Sequence, residues 1–88
     1  QTKKKLFLKA YNAILKNQVD LNDYVNLYDI CAYMKMSYKS FNNFLSWFYE
    51  EERMRLSIFF INIVSTIDQR KRFYIRNTPV LKIKIIKL

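Results

Sequence analysis

Leu27-Tyr28-Asp29-Ile30-Cys31-Ala32-Tyr33-Met34-Lys35-Met36-Ser37-Tyr38-Lys39-Ser40-Phe41 is the stretch that decides the fold. Its apolar residues Leu27, Ile30, Cys31 and Met34 recur at helical spacing and predict a short helix over about Leu27 to Lys35. Asn26 stands ahead of it as a good N-cap, with Asp29 in the capping-box position. Met36 falls in a brief turn, Ser37 is a second N-cap, and a second helix follows from Tyr38 to about Arg53. Phe41, Phe44, Leu45 and Phe48 form its apolar face; Tyr38, Lys39, Asn42, Asn43 and Ser46 form the opposite one. Glu50, Glu51 and Glu52 lie near its C-terminal end, where the helix dipole disfavours acids.

Outward from this pair, Leu6, Phe7, Ala10, Tyr11, Ala13 and Ile14 predict a first helix over 4–17, and a polar turn spans Asn17 to Tyr24. Lys3-Lys4-Lys5, where that helix begins, reads as a frayed tail that adds phosphate affinity. Beyond Arg55 the periodicity changes. Ser57 to Ile67 is rich in Ile, Val, Thr and Phe, so a strand is expected there, with continuation of the helix as the competing reading. A turn at 68–71 leads to an alternating strand over 72–77, ended by Thr78-Pro79. A last strand over 80–88 sets Leu81, Ile83 and Ile85 opposite Lys82 and Lys84. The fold class expected is α+β in one domain, three helices followed by a two- to three-stranded antiparallel sheet.

Composition removes most chemistry. The 88 residues include no His, no Gly, one Cys (Cys31) and one Pro (Pro79). An intrachain disulfide, a His/Cys zinc site, a glycine-rich phosphate loop and the commonest general base are therefore excluded. No enzyme activity, cofactor or metal is expected. Cys31 sits on an apolar helical face and is expected to be buried. The longest apolar run, Leu56 to Ile67, is far shorter than the roughly 20 residues of a membrane span. The N-terminus lacks the apolar stretch of an export signal. The sequence begins at Gln1 rather than Met, which reads as trimming. A single thiol fits a reducing compartment, so a cytoplasmic location is expected.

The net charge is +9, and its placement is informative. Residues 1–17 carry +5, residues 18–52 carry −4 and residues 53–88 carry +8. An AT-rich genome raises Lys, Ile, Asn, Tyr and Phe together, yet codon drift does not gather every Arg between Arg53 and Arg76 as here.

Two short helices joined by a tight turn and followed by a hairpin describe a winged helix-turn-helix. Residues 27–41 resemble the helix-turn-helix of prokaryotic regulators. Asp68-Gln69-Arg70 resembles the Asp-x-Arg wing tip of MarR-type regulators, and Phe73-Tyr74-Ile75-Arg76-Asn77-Thr78-Pro79 resembles the strand returning from it. The likeness covers about residues 22–79. The long terminal helices that build the MarR-type dimer and ligand pocket have no counterpart, so effector binding is not implied. The Gly usual after the recognition helix is also missing. Small AT-biased domains from archaeal plasmids and viruses are similar in kind, and the resemblance implies a homodimeric transcriptional regulator or plasmid partition-site-binding protein.

A helix fits the major groove, the only groove that distinguishes all four base pairs. On the second helix Asn42 and Asn43 suit adenine, and Lys39 suits guanine or phosphate. Tyr38 and Ser40 suit phosphate or a thymine methyl, with Lys35, Ser37 and Ser46 completing the face. Arg70, Lys71 and Arg72 at the wing suit a narrow minor groove. Double-stranded DNA is the expected partner, bound by a homodimer paired through the first helix and/or the last strand. The alternative is a protein-interaction adaptor, because strands 56–67 and 80–88 carry more apolar surface than one sheet face buries. Trp47 and Tyr49, expected to be half-exposed, suit such a contact. A basic first helix lying on anionic lipid ranks last, since its stripe holds Ala and Tyr rather than a broad Leu/Trp face.

Overall fold

The two caps do what their side chains allow. The Asn26 side chain accepts a hydrogen bond from the Tyr28 N–H at 2.8 Å and starts α2 (Leu27–Tyr33). The Ser37 hydroxyl accepts from the Ser40 N–H at 3.2 Å and starts α3 (Tyr38–Glu52). Between them the chain reverses without glycine. Lys35 takes a left-handed φ of 55°, its N–H donates to the Ala32 carbonyl, and the Met36 N–H reaches back to the Cys31 carbonyl. This is a Schellman helix end with Lys where Gly is usual. Lys35 is thus a turn residue rather than the last helical one.

The computed structural model describes residues 2–19, 23–62 and 73–87. A first helix, α1, runs Thr2–Asn17, so Lys3, Lys4 and Lys5 are helical rather than a frayed tail. It buries Phe7, Ala10 and Tyr11. The Phe7 ring lies 4.6 Å from that of Phe48, 5.4 Å from Phe44 and 6.1 Å from Phe41, which fixes α1 across the apolar stripe of α3.

The strands are β1 (Val25–Asn26), β2 (Leu56–Ile61), β3 (Phe73–Ile75), β4 (Thr78–Val80) and β5 (Lys82–Lys87). Among the described residues the fold is α+β, with three helices and antiparallel strands. β1, ahead of α2, was not expected from the sequence. The strand reading of 57–67 holds for the described part, and a continued helix there is excluded. The expected turn at 68–71 lies outside the described residues.

The pairing differs from the expected hairpin of 56–78. One sheet has the order β1-β5-β2, with Phe60 opposite Ile83 and Ile58 opposite Ile85. β3 and β4 form a separate two-stranded sheet. The first pairing buries one face of both strands: β2 and β5 each turn every second residue, among them Ile58, Phe60, Ile83 and Ile85, toward the core. A tight turn explains the second. Arg76 and Asn77 both take left-handed φ values, 49° and 64°, as a two-residue hairpin of matching twist requires.

Thr78-Pro79 therefore begins a return strand instead of ending one. A two-residue connection makes Ile75 and Thr78 the hydrogen-bonded pair, so Pro79 opposite Tyr74 occupies the non-bonded position, where no N–H is needed.

Two further contacts tie helices to sheet. The Tyr11 hydroxyl donates to the Asp23 carbonyl at 2.8 Å and accepts from the Ile85 N–H at 3.1 Å, continuing the β5 ladder where short β1 stops. Leu81 accepts from the Leu27 N–H at 2.9 Å and donates to the Ile61 carbonyl at 2.8 Å, so the start of α2 is bonded to the β2–β5 pair. No described helix is long and apolar enough to cross a membrane.

Candidate nucleic-acid interface

α3 has three sides, and each meets something different. Phe41, Phe44, Leu45, Phe48 and Glu52 face the core. Tyr38, Asn42 and Tyr49, spaced four and seven apart, lie on one helical side. The β3–β4 hairpin runs along that side. Phe73 is fully buried there, its ring 4.7 Å from Tyr38, 4.9 Å from Tyr28 and 5.1 Å from Phe41. The Tyr74 N–H, turned away from β4 by its non-bonded position, donates to Asn42 Oδ1 at 2.8 Å. Arg76 closes the far end with a two-bond contact to Glu50, at 2.7 and 2.8 Å, and its guanidinium sits 5.5 Å from the Tyr49 ring centre.

These contacts sort the sequence-predicted residues. Asn42 and Tyr38 are half-buried under the hairpin, and the Asn42 oxygen needed for reading adenine is already engaged. Burial pushes the Tyr38 phenol above its ordinary pKa, with the Tyr28 and Tyr74 phenols adding to it. Ser37 uses its hydroxyl as the α3 cap. Lys35 is exposed in the turn. Lys39, Ser40 and Asn43 are exposed, and Ser46 is half-buried beside them. Lys39, Asn43, Ser46 and Glu50 form a polar ridge along α3, spaced four, three and four apart. Arg70, Lys71 and Arg72 lie outside the described residues.

The acids of α3 gain an account that the sequence alone did not supply. Glu52 is buried and meets Lys4 Nζ of α1 at 3.1 Å. Glu50 lies on the polar ridge, and the Arg76 guanidinium holds its carboxyl below the usual carboxylate range. Glu51 is exposed. Two of the three carboxylates on this helix are therefore neutralised by basic residues from other elements.

Two features of this surface were missed in the sequence. The first is the hairpin beside α3, whose turn carries no glycine to announce it. The second is an open cleft of about 350 Å³ between the first turn of α1 and the middle of α3, lined by Lys3, Ser40, Asn43, Phe44 and Trp47. The i, i+3, i+4, i+7 spacing of its α3 residues was visible, but Lys3 enters only once Phe7 docks α1 on α3.

The last strand, expected as a pairing surface, is the interior strand of its sheet. It contributes a face instead. On the outer side of the sheet Phe59, Ile61 and Ile86 are 47, 37 and 44% exposed, interleaved with Lys82 and Lys84. Cys31 is buried and its thiol contacts the Met36 carbonyl at 3.4 Å; burial pushes its pKa up, against reactivity. Among the described residues no group of three or more His, Cys, Asp or Glu could hold a metal ion.

Comparison of the chain with protein-family models, curated proteins and solved structures found no match.

Proposed function

We propose that this chain is a double-stranded DNA-binding protein of the winged helix-turn-helix type, with α3 as its major-groove helix. One observation carries the reading. α2, a tight turn and α3 are braced on a sheet of order β1-β5-β2, and α3 keeps a polar ridge of Lys39, Asn43 and Ser46 outside the core. Helix, strand, two helices and two further strands, with the last strand between the other two, supports a winged-helix arrangement. The β3–β4 hairpin is then an insertion between the two wing strands.

Within this reading Asn43 is the base reader, paired with adenine, and Lys39 reaches guanine or phosphate. Asn42 and Tyr38 serve to hold the hairpin. Arg70, Lys71 and Arg72 retain their proposed minor-groove role. One module of this size covers only about 600–1,000 Å² of DNA, so a homodimer across two half-sites is proposed, acting in transcription or partition. Its pairing surface is α1 or the outer face of the sheet, since both edges of β5 engage neighbours over Lys82 and Ile83.

The second reading, a protein-interaction adaptor, is favoured by exposed Phe59, Ile61 and Ile86. Salt separates the two. Binding of labelled duplexes that relies on about six phosphates loses orders of magnitude in affinity between about 50 and 200 mM salt. Binding through the apolar sheet face barely changes. Failure to retain any duplex at about 50 mM salt refutes the DNA reading.

A further inference from the structure

Donors without partners among the described residues converge on one side of α3. Lys3, Ser40, Asn43, Phe44 and Trp47 line the cleft between α1 and α3. Lys3 and the Trp47 indole can only donate hydrogen bonds, and Ser40 and Asn43 can both donate. Among the described residues no carboxylate lines the cleft. The side chains of Lys3, Ser40 and Asn43 make no hydrogen bond or ion pair among the described residues. Their neighbours differ: Lys4 is engaged by Glu52, and Asn42 by Tyr74.

The walls are apolar. Phe44 is 7% and Trp47 38% exposed, with ring centres 5.8 Å apart. The cleft is also held rigidly, because Phe7 packs on Phe44 and Phe48 and the Lys4–Glu52 pair clamps the first turn of α1. A site whose described residues offer a cation, several neutral donors, no acid and an aromatic wall is chemically matched to an anion attached to an apolar ring. In a duplex that unit is a backbone phosphate with its deoxyribose.

We infer that this cleft is a sugar-phosphate subsite. Lys3 and Ser40 hold one phosphodiester of the strand flanking the groove, and Trp47 packs against the adjoining sugar. The inference rests on the DNA-binding reading and adds the register: it places α1 on the strand backbone while Asn43, on the rim of the same cleft, turns toward the bases.

The test uses the full chain and duplexes it selects from a random pool. Trp47 is the sole Trp, so its emission reports on the cleft directly. Duplex titration should change that emission in step with retention of the labelled duplex. Lys3→Ala should lower the slope of log affinity against log salt by about one, whereas Lys16→Ala, about 20 Å away along α1, should leave it unchanged. A neutral methylphosphonate scanned along the strand should weaken wild-type binding at one position per half-site. It should have no further effect there with Lys3→Ala.

Duplex binding with Trp47 emission unmoved, or an unchanged salt slope for Lys3→Ala, overturns the subsite and leaves the DNA-binding reading standing. Saturation of the same emission change by inorganic phosphate alone, at concentrations that do not displace duplex, also overturns it, as a site for the free anion. No retention of any duplex removes both.

Discussion

Asn42 and Asn43 are adjacent, alike in chemistry and opposite in consequence, so replacing each with Ala separates fold from function. Both substitutions gain a similar increment of helix propensity, about 0.5 kcal/mol, because Ala outranks Asn within a helix. Only Asn42→Ala removes an acceptor that Tyr74 uses, leaving the Tyr74 N–H without its 2.8 Å partner. The difference between the two variants therefore isolates that bond, worth about 1 kcal/mol. For a domain of this size that is about 4–8 °C in melting temperature, with Asn42→Ala the less stable. DNA affinity should move the other way. Asn43→Ala loses a two-bond adenine contact, about 1–3 kcal/mol, and should flatten base preference at one position. Asn42→Ala should bind within about twofold of wild type at temperatures where it is folded, because its oxygen faces the hairpin rather than the groove. Urea unfolding and fluorescence anisotropy on a selected duplex measure the two quantities. Equal stabilities for the variants would remove the argued role of Asn42. Loss of affinity confined to Asn42→Ala would place the reading face of α3 on the hairpin side and refute Asn43 as the base reader.

Other consequences follow from single contacts. Lys35→Gly should raise unfolding free energy by about 0.5–1 kcal/mol in urea, since Gly carries no penalty at a φ of 55°. Tyr11→Phe should lower it by about 1–3 kcal/mol by depriving the Ile85 N–H and the Asp23 carbonyl of a partner; hydrogen exchange should show Ile85 losing protection. Lys4→Met should cost about 1–3 kcal/mol by leaving Glu52 buried and unpaired, whereas Lys3→Met should stay within about 0.5 kcal/mol of wild type. The Glu50 carboxyl, held below the ordinary range by Arg76, stabilises the hairpin contact above the unfolded carboxylate pKa, and that contribution is lost as pH falls through its lowered folded value. Carbon-detected NMR titration should find the Glu50 carboxyl back in the ordinary range in Arg76→Ala.

How far the sequence carried this reading depended on whether a signal was local. The helices were legible because apolar spacing and two capping side chains, Asn26 and Ser37, act within a few residues. The strand at 56–61 was legible from its β-branched and aromatic residues. Its partner was not, because β5 is distant in the chain and alternation alone does not choose between two alternating segments. The β3–β4 hairpin escaped for a different reason. Its turn uses Arg76 and Asn77 where Gly is usual, and Pro79 resembles a strand breaker unless its non-bonded register is known. At the site, nothing in the sequence distinguishes Asn42 from Asn43; the distinction arrives with Tyr74, 32 residues away.

The charge blocks illustrate the same dependence on tertiary contact, and they bear on whether the protein approaches a polyanion. Read linearly, the segment 18–52 carries −4 and would repel phosphate from the helix proposed to meet it. Folding offsets part of that negative charge locally. Glu52 receives Lys4 from the basic N-terminal block, and Glu50 receives Arg76 from the basic C-terminal block. The exposed pair at Glu50 contributes little to stability, as surface ion pairs do. Its effect is on the field. A two-bond guanidinium contact cancels a carboxylate that otherwise stands on the ridge of Lys39 and Asn43. What the ridge then presents is Lys39 with neutral donors, bordered by Lys3. The hairpin thus does two jobs for α3: Phe73 and the Tyr74 N–H set which side of the helix is covered, and Arg76 sets the charge of the side left open.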